Sequence, residues 1–390
     1  MSQITPYKIN VDEKCLAKLK QKLELVDFPE ELEGAGWTYG ASLSEIKSLT
    51  KYWLETFSWR TTEAKLNELS HFITPITVQG FKPVDIHFVH QKSEDPNAIP
   101  LLFVHGWPGS FIEVTKMLPL LKKGEGEGKR AFHVVAPSMA NYGFSGRVTE
   151  KGWGIGQHAE ALHKLMLNLG YDRYVTQGGD WGAFVTRTIG LKYPDHCKAN
   201  HINMISAAEP VWTAENPKPE YSEDEKEGMA TQQAFRAEGS GYLAIQGSKP
   251  ATLAFSLQDS PVGLLAWIYE KLHTWTDSYP WTPEQILTWI SIYYFSTAGP
   301  YAGIYTYYEA MHDPVLNFSA FQQYIDLPLG VAAFPKEMIN SPESWWGTMG
   351  PIVHRKRFEK GGHFAAWERP EDLVGCLWEM FGEEGPVGKI

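Results

Sequence analysis

The chain has 390 residues, 43% of them hydrophobic, enough for one large domain with a sizeable insertion or for two domains, and global disorder is excluded. Against 46 Asp and Glu stand 35 Lys and Arg, a net charge of −11, which argues against nucleic acid and anionic membrane surfaces as partners. Cys15, Cys197 and Cys376 make neither a disulfide framework nor a zinc spacing, the amino terminus lacks a basic-then-apolar signal, and no apolar run reaches bilayer length, so the expectation is a soluble, cytoplasmic protein without a membrane anchor.

The first 80 or so residues carry an amphipathic, mostly helical pattern, broken at Phe28-Pro29 and Gly34-Ala35-Gly36. They predict an extension, 1–80, wrapped around a core. Val84 to His90 alternates and predicts a strand. Ile99 to Val104 and Ala131 to Ala136 are continuous apolar runs of the kind that buried strands carry. Between them Lys122 to Arg130, rich in glycine and charge, predicts a solvated loop. Gln157 to Leu169 has a helical pattern with Gly170 as its C-cap. Arg173 to Gly178 and Ala199 to Ile205 predict further strands. From 207 to 325 the pattern turns to aromatic-rich helical segments and proline-rich turns, which predicts an inserted helical lid. The sheet pattern returns at Leu329 to Phe334 and Ile352 to His354, and a last helix follows Pro370. Strands alternating with helices imply an α/β fold, a mostly parallel sheet flanked by helices, built from 81–206 and 326–390.

The most informative stretch is Gln177-Gly178-Gly179-Asp180-Trp181-Gly182. It joins a predicted strand to an apolar segment starting at Phe184, the shape of a nucleophile elbow, in which a sharp strand-to-helix turn throws its central residue into a pocket. Glycines two before and two after that residue allow the crowded turn. The central residue is commonly serine; here it is Asp180. A carboxylate, with a reference pKa of about 4, is ionised at neutral pH and can attack a saturated carbon bearing a leaving group. The product is an ester of the enzyme itself. Water must then attack that ester, so a general base is needed for the second step, with backbone donors for the oxyanion. The competing reading is an aspartate that merely caps the following helix.

His105-Gly106-Trp107-Pro108-Gly109-Ser110 follows a buried strand directly. Such a loop aims a backbone N–H into the pocket, and the residue after the nucleophile supplies a second, so the expected oxyanion donors are the N–H groups of Trp107 and Trp181. His105, Gly106 and Pro108 are expected to line the substrate pocket. The alternative is an ordinary strand-to-helix turn. Among 13 histidines, His363 is singled out by its glycine-rich loop after a strand and by the chain order nucleophile, acid, histidine. The acid expected to hold its tautomer is Glu337, just past the returning strand, with Glu343 as the competitor. His87 and His90, three apart on a predicted strand, face opposite sides and make poor metal partners. Gly152-Trp153-Gly154-Ile155-Gly156 lacks the last glycine of a dinucleotide fingerprint. No nucleotide cofactor and no metal are expected.

On these motifs, with Tyr52-Trp53, Phe57-Ser58-Trp59-Arg60 and Asp85-Ile86-His87-Phe88 in the amino-terminal third, the chain resembles the α/β-hydrolase superfamily, and within it a soluble epoxide hydrolase of the microsomal type, over nearly its whole length. The resemblance implies two lid tyrosines that polarise the epoxide oxygen. The first corresponds to Tyr242, in Gly241-Tyr242-Leu243-Ala244. The second corresponds best to Tyr307, in Tyr305-Thr306-Tyr307-Tyr308-Glu309, with Tyr305 and Tyr308 as near alternatives. Opening an epoxide leaves an alkoxide, and a phenol with a reference pKa of about 10 is still protonated at neutral pH and can donate to it. The implied reaction turns a small apolar epoxide and water into a vicinal diol. Rival readings are a haloalkane dehalogenase, with the Trp181 indole as halide donor, and a non-catalytic ligand-binding protein of the same fold. Oligomeric state is open, a homodimer included.

Overall fold

The computed structural model describes residues 3–124 and 129–388. Among them a sheet is built from β1 (Thr5–Pro6), β2 (His71–Ile76), β3 (Val84–Gln91), β4 (Ile99–Val104), β5 (Phe132–Pro137), β6 (Tyr174–Gly178), β7 (Cys197–Ile202), β8 (Leu329–Ala333) and β9 (Ile352–Arg357). Their spatial order is β1-β2-β3-β5-β4-β6-β7-β8-β9. From β5 through β9 neighbours run parallel, while β1, β2 and β3 join antiparallel at one side. The largely apolar runs of β4 and β5 explain their central place, since a strand covered by helices on both faces leaves no room for polar alternation, and β6 beside them is buried along its whole length. At the far edge β9 is half-exposed and carries Arg355, Lys356 and Arg357, charges that discourage edge-to-edge pairing.

The amino-terminal segment departs from expectation. It does contain helices (Glu13–Glu24, Leu43–Glu55 and Trp59–Leu66), but it also supplies β1 and β2 to the sheet. β1 is two residues long, too short for any pattern, and Pro75 inside β2 is the kind of residue that demotes a strand reading. The expected loop at Lys122 to Arg130 is shorter at its start: Lys122 and Lys123 close the helix Leu118–Lys123, which ends on Gly124 at φ +57°, and residues 125–128 lie outside the described residues. β7 begins two residues earlier than expected and stops at Ile202. The helix Ile155–Asn168 is followed by Gly170 at φ +86°.

Between β7 and β8 come the helices Glu223–Ala234, Gly241–Ser248, Pro250–Asp259, Pro261–Thr274, Pro283–Tyr294 and Tyr305–His312. They stand over the carboxyl ends of the parallel strands. The amino-terminal helices pack on them: Trp37 stacks on His273 at 3.7 Å, Trp53 meets Tyr294 edge-on, and the Tyr269 hydroxyl donates to Glu45 at 2.7 Å. No helix among the described residues is long and apolar enough to cross a membrane.

Candidate active site

Four loops at the carboxyl ends of β4, β6, β8 and β9 converge, the place where parallel α/β sheets bind ligands. Asp180 stands two residues beyond β6, at φ +48° and ψ −130°, a backbone conformation that side-chain-bearing residues rarely adopt. The turn is possible because a Cβ on Gly182 would lie 1.9 Å from the Val104 carbonyl oxygen; only glycine lets the helix Trp181–Lys192 start this close to β4. Although Asp180 occupies the N-cap position, its side chain makes no cap bond, so the capping reading does not hold. Its Oδ1 instead accepts from the Trp107 N–H at 2.8 Å. A Cβ on Gly106 would fall 2.2 Å from the same oxygen, so a side chain there would displace the carboxylate. Trp181 is the first helical residue, and its N–H is one of those a helix leaves without an internal partner.

His363 comes from the loop after β9, Glu337 from the loop after β8, and the two loops pair at Lys336 and Gly362. The His363 Nδ1 lies 2.9 Å from Glu337 Oε2 and 3.1 Å from Oε1, and its Nε2 lies 3.5 Å from Asp180 Oδ2. Only 5% of His363 and 2% of Glu337 are exposed. Burial alone would depress the imidazole pKa, but the two facing carboxylates outweigh it and hold the pKa well above the ordinary value. Glu343 is elsewhere, paired with Arg355 at 3.1 Å on the surface.

Tyr242 and Tyr307 approach from lid helices. Their rings lie 5.9 Å apart, both against the Trp107 ring, at 5.4 Å and 5.7 Å. Burial, with the charge of Asp180 adding, raises both phenols well above their ordinary pKa, so they remain protonated. The Tyr307 hydroxyl and the Trp181 indole N–H are close enough to interact, yet both are buried without a partner of hydrogen-bond geometry. Tyr308 is turned out, stacked on His312, and Tyr305 packs against Tyr301.

The expected pocket residues divide. Gly106 lines a small cavity beside Asp180 and His363; His105 and Pro108 do not. His105 is buried behind the loop, with Nδ1 facing the Gly106 carbonyl at 2.9 Å and Nε2 accepting from the Met139 N–H, and burial lowers it to about 4. The Pro108 carbonyl is taken by the Trp289 indole. Both shape the loop rather than the cavity. Larger surface hollows, such as that between Arg147, Tyr305 and Glu309, contain none of the converging groups. The sequence reading missed Glu113, which lines the same cavity as Asp180 and His363. A carboxylate inside the otherwise apolar run Phe111-Ile112-Glu113-Val114 was its available signal.

His87 and His90 do face opposite ways, His87 bonded to His71 and Ser138, His90 to Tyr171. Among the described residues His201, His354 and Cys376 bring ligand atoms within 4.8 Å of one another under the last helix. Burial pushes the Cys376 thiol up to about 12.

Residues 4–114 match the family described as epoxide hydrolase N terminus, and residues 99–236 that described as alpha/beta hydrolase fold. A protein of Stigmatella aurantiaca is 37% identical, covering 97% of this chain and 84% of the relative. Epoxide hydrolase 1 of Sus scrofa is 33% identical over 97% of this chain and 88% of its own. The structure of Aspergillus niger epoxide hydrolase matches with a TM-score of 0.84 at 34% identity, over 96% of this chain and 95% of that one. Across nearly its full length, then, this chain belongs to the epoxide hydrolases of the α/β-hydrolase fold.

Proposed function

We propose that this protein hydrolyses small apolar epoxides to vicinal diols through a covalent ester on Asp180. The observation that carries the reading is a carboxylate on a strained elbow, 3.5 Å from a histidine that is itself 2.9 Å from a second buried carboxylate. Asp180 attacks a ring carbon and the C–O bond of the epoxide breaks. Tyr242 and Tyr307 hydrogen-bond the departing oxygen, one giving up its proton and regaining it from the His363 imidazolium. Esterification removes one of the two negative charges that keep His363 protonated, so the imidazole becomes a base at the step that needs one. Glu337 fixes Nδ1 as the N–H side, so Nε2 takes a proton from water as the water oxygen bonds to the Asp180 carbonyl carbon. The N–H groups of Trp107 and Trp181 stabilise the oxyanion. The ester C–O bond then breaks, the leaving alkoxide takes the proton of the newly formed hydroxyl, the diol leaves, and the Asp180 carboxylate and the protonated His363 are restored. These steps require no metal and no organic cofactor.

All groups come from one chain, so the chemistry does not depend on a homodimer. A cytoplasmic setting suits the three unpaired cysteines, and removal of electrophilic epoxides, a detoxification, suits the chemistry. One observation favours a second reading: the buried, unpartnered Trp181 indole could donate to a halide, as a haloalkane dehalogenase requires. Incubation with styrene oxide and with chloroalkanes separates the two. Diol from the epoxide without halide release is expected; halide release without diol would reverse the assignment.

A further inference from the structure

A row of three residues, His201, Gly330 and His354, crosses three neighbouring strands and has no part in the steps above. His201 of β7 is in register with Gly330 of β8, and Gly330 with His354 of β9. Residues paired across a sheet point to the same face, and the two imidazole rings accordingly lie side by side with centroids 6.0 Å apart. Between them the sheet carries no side chain. A Cβ on Gly330 would lie 2.4 Å from Met380 Sδ and 2.7 Å from His201 Cδ2, so the glycine is what lets these groups close over the row. Cys376 and Met380, one turn apart on the helix Pro370–Phe381, come from above.

The protein itself does not use the donors gathered here. Among the described residues neither ring nitrogen of His201 has a hydrogen-bond partner, although His201 is fully buried. His354 Nδ1 is also buried without a partner, while its Nε2 lies 2.9 Å from Glu379 Oε2. Unpaired buried imidazole nitrogens cost stability, a cost that apolar residues in the same places would avoid. One ligand atom each from His201, His354 and Cys376 lies within 4.8 Å of the other two. Contraction by at most about 1 Å brings them to the spacing of a tetrahedral zinc shell, with bonds of ~2.0 Å to nitrogen and ~2.3 Å to sulfur. Glu379 is placed as an outer partner: a carboxylate on the far nitrogen of a ligating histidine fixes the ring and its tautomer, here with the Nδ1 lone pair free. The way in is the sheet edge, where β9 is the last strand and the His354 side chain is 9% exposed.

We propose that His201, His354 and Cys376 bind one zinc ion, with Glu379 orienting His354, and that the ion pins the last helix to the edge of the sheet. Both imidazoles bind as neutral ligands. The thiol proton of Cys376 passes to solvent as the sulfur–zinc bond forms, since a coordinated thiol is deprotonated. The thiolate and the Glu379 carboxylate then balance the charge of the ion. The Met380 thioether is a further soft donor at the same gap. The ligands come from β7, β9 and the last helix, far apart in the chain, which is why no metal spacing is visible in the sequence. None of them lines the cavity at Asp180, so the ion stands outside the chemistry there.

The test is metal titration of the full-length chain after treatment with a chelator, using zinc and, as its spectroscopic substitute, cobalt. One equivalent of zinc should bind, raise the melting temperature by about 5 °C at a hundredfold excess over Kd, and leave diol formation from styrene oxide unchanged. Cobalt should give the thiolate-to-metal charge-transfer band, which requires sulfur among the ligands. Cys376→Ser should abolish that band and Cys15→Ser should keep it. Glu379→Gln should weaken zinc binding about tenfold to a hundredfold. His354→Gln, at the sheet edge, should remove the binding, and serves if Cys376→Ser does not fold. Three results overturn the proposal: zinc binding undiminished in Cys376→Ser and His354→Gln, no charge-transfer band with cobalt, or zinc that stops diol formation and therefore sits on Asp180 and His363. A protein inactive on styrene oxide that still binds zinc through Cys376 upholds it, because nothing in it rests on the role of Asp180.

Discussion

At position 180 an ionisable side chain sits on backbone that glycine usually occupies, and the surrounding atoms hold it there: the Trp107 N–H on one oxygen, the His363 ring beside the other. Replacing the carboxylate by an amide, Asp180→Asn, should lower diol formation about a thousandfold or more while leaving the melting temperature nearly unchanged. His363→Gln should have the opposite kinetic signature, a trapped ester detectable as a mass shift on the intact chain. Activity of the unsubstituted protein should fall as pH drops through the His363 pKa of the ester, because protonation removes the base. Tyr242→Phe and Tyr307→Phe should each slow ester formation, and the double variant should lose less than the product of the two, since both phenols serve one oxygen. Glu113 ties the site to stability. Its folded pKa of about 8 lies above the usual carboxylate range, so between the two values the folded state binds the extra proton and stability falls as pH rises. The melting temperature of the unsubstituted protein should therefore drop relative to Glu113→Gln between about pH 5 and pH 8; parallel curves would contradict the shift. Asp180 was legible in the sequence because three glycines and a preceding strand surround it. Both tyrosines could be assigned only by resemblance, and Glu113, though a carboxylate in an apolar run, could not be placed, because the cavity it faces exists only once the fold closes.

The elements that carry these residues were read well where they are central and poorly where they are peripheral. β4 and β5 are buried on both faces, and burial writes itself into their sequence as largely apolar runs, while β6 was found through the elbow that follows it. β1 depends on a pairing partner far along the chain, which no local pattern encodes, and β2, though it pairs with the next strand, is interrupted by Pro75. Loop orientation was equally hidden: His105 adjoins the oxyanion loop in sequence, yet both ring nitrogens are spent on backbone. The contact between β4 and the helix after Asp180 is the tightest constraint at this scale. Gly182→Ala, with its Cβ driven towards the Val104 carbonyl, should cost about 3 kcal/mol and shift Asp180 away from His363. A soluble, fully active Gly182→Ala protein would mean that the elbow tolerates a wider separation than the structure has.

Over the whole molecule, the amino-terminal segment is bound to the lid rather than appended to it. Trp53 and Trp59 are buried against Tyr294 and Phe295, at the end of a lid helix that also places Tyr293 on the Gly109 carbonyl. Trp53→Ala should therefore cost about 3–5 kcal/mol and weaken ester formation as well, by loosening the helices that surround the site. The boundaries at 80, 206 and 325 divide the chain by pattern, but the packing joins the segments into one scaffold for the converging loops. What that scaffold accomplishes is decided by whether carbon becomes bonded to Asp180. A single turnover in water enriched in heavy oxygen, followed by proteolysis and mass spectrometry, reads this directly. Heavy oxygen in the peptide that contains Asp180 is the expected result, because the water oxygen enters the ester carbonyl; heavy oxygen confined to the diol would contradict the covalent route.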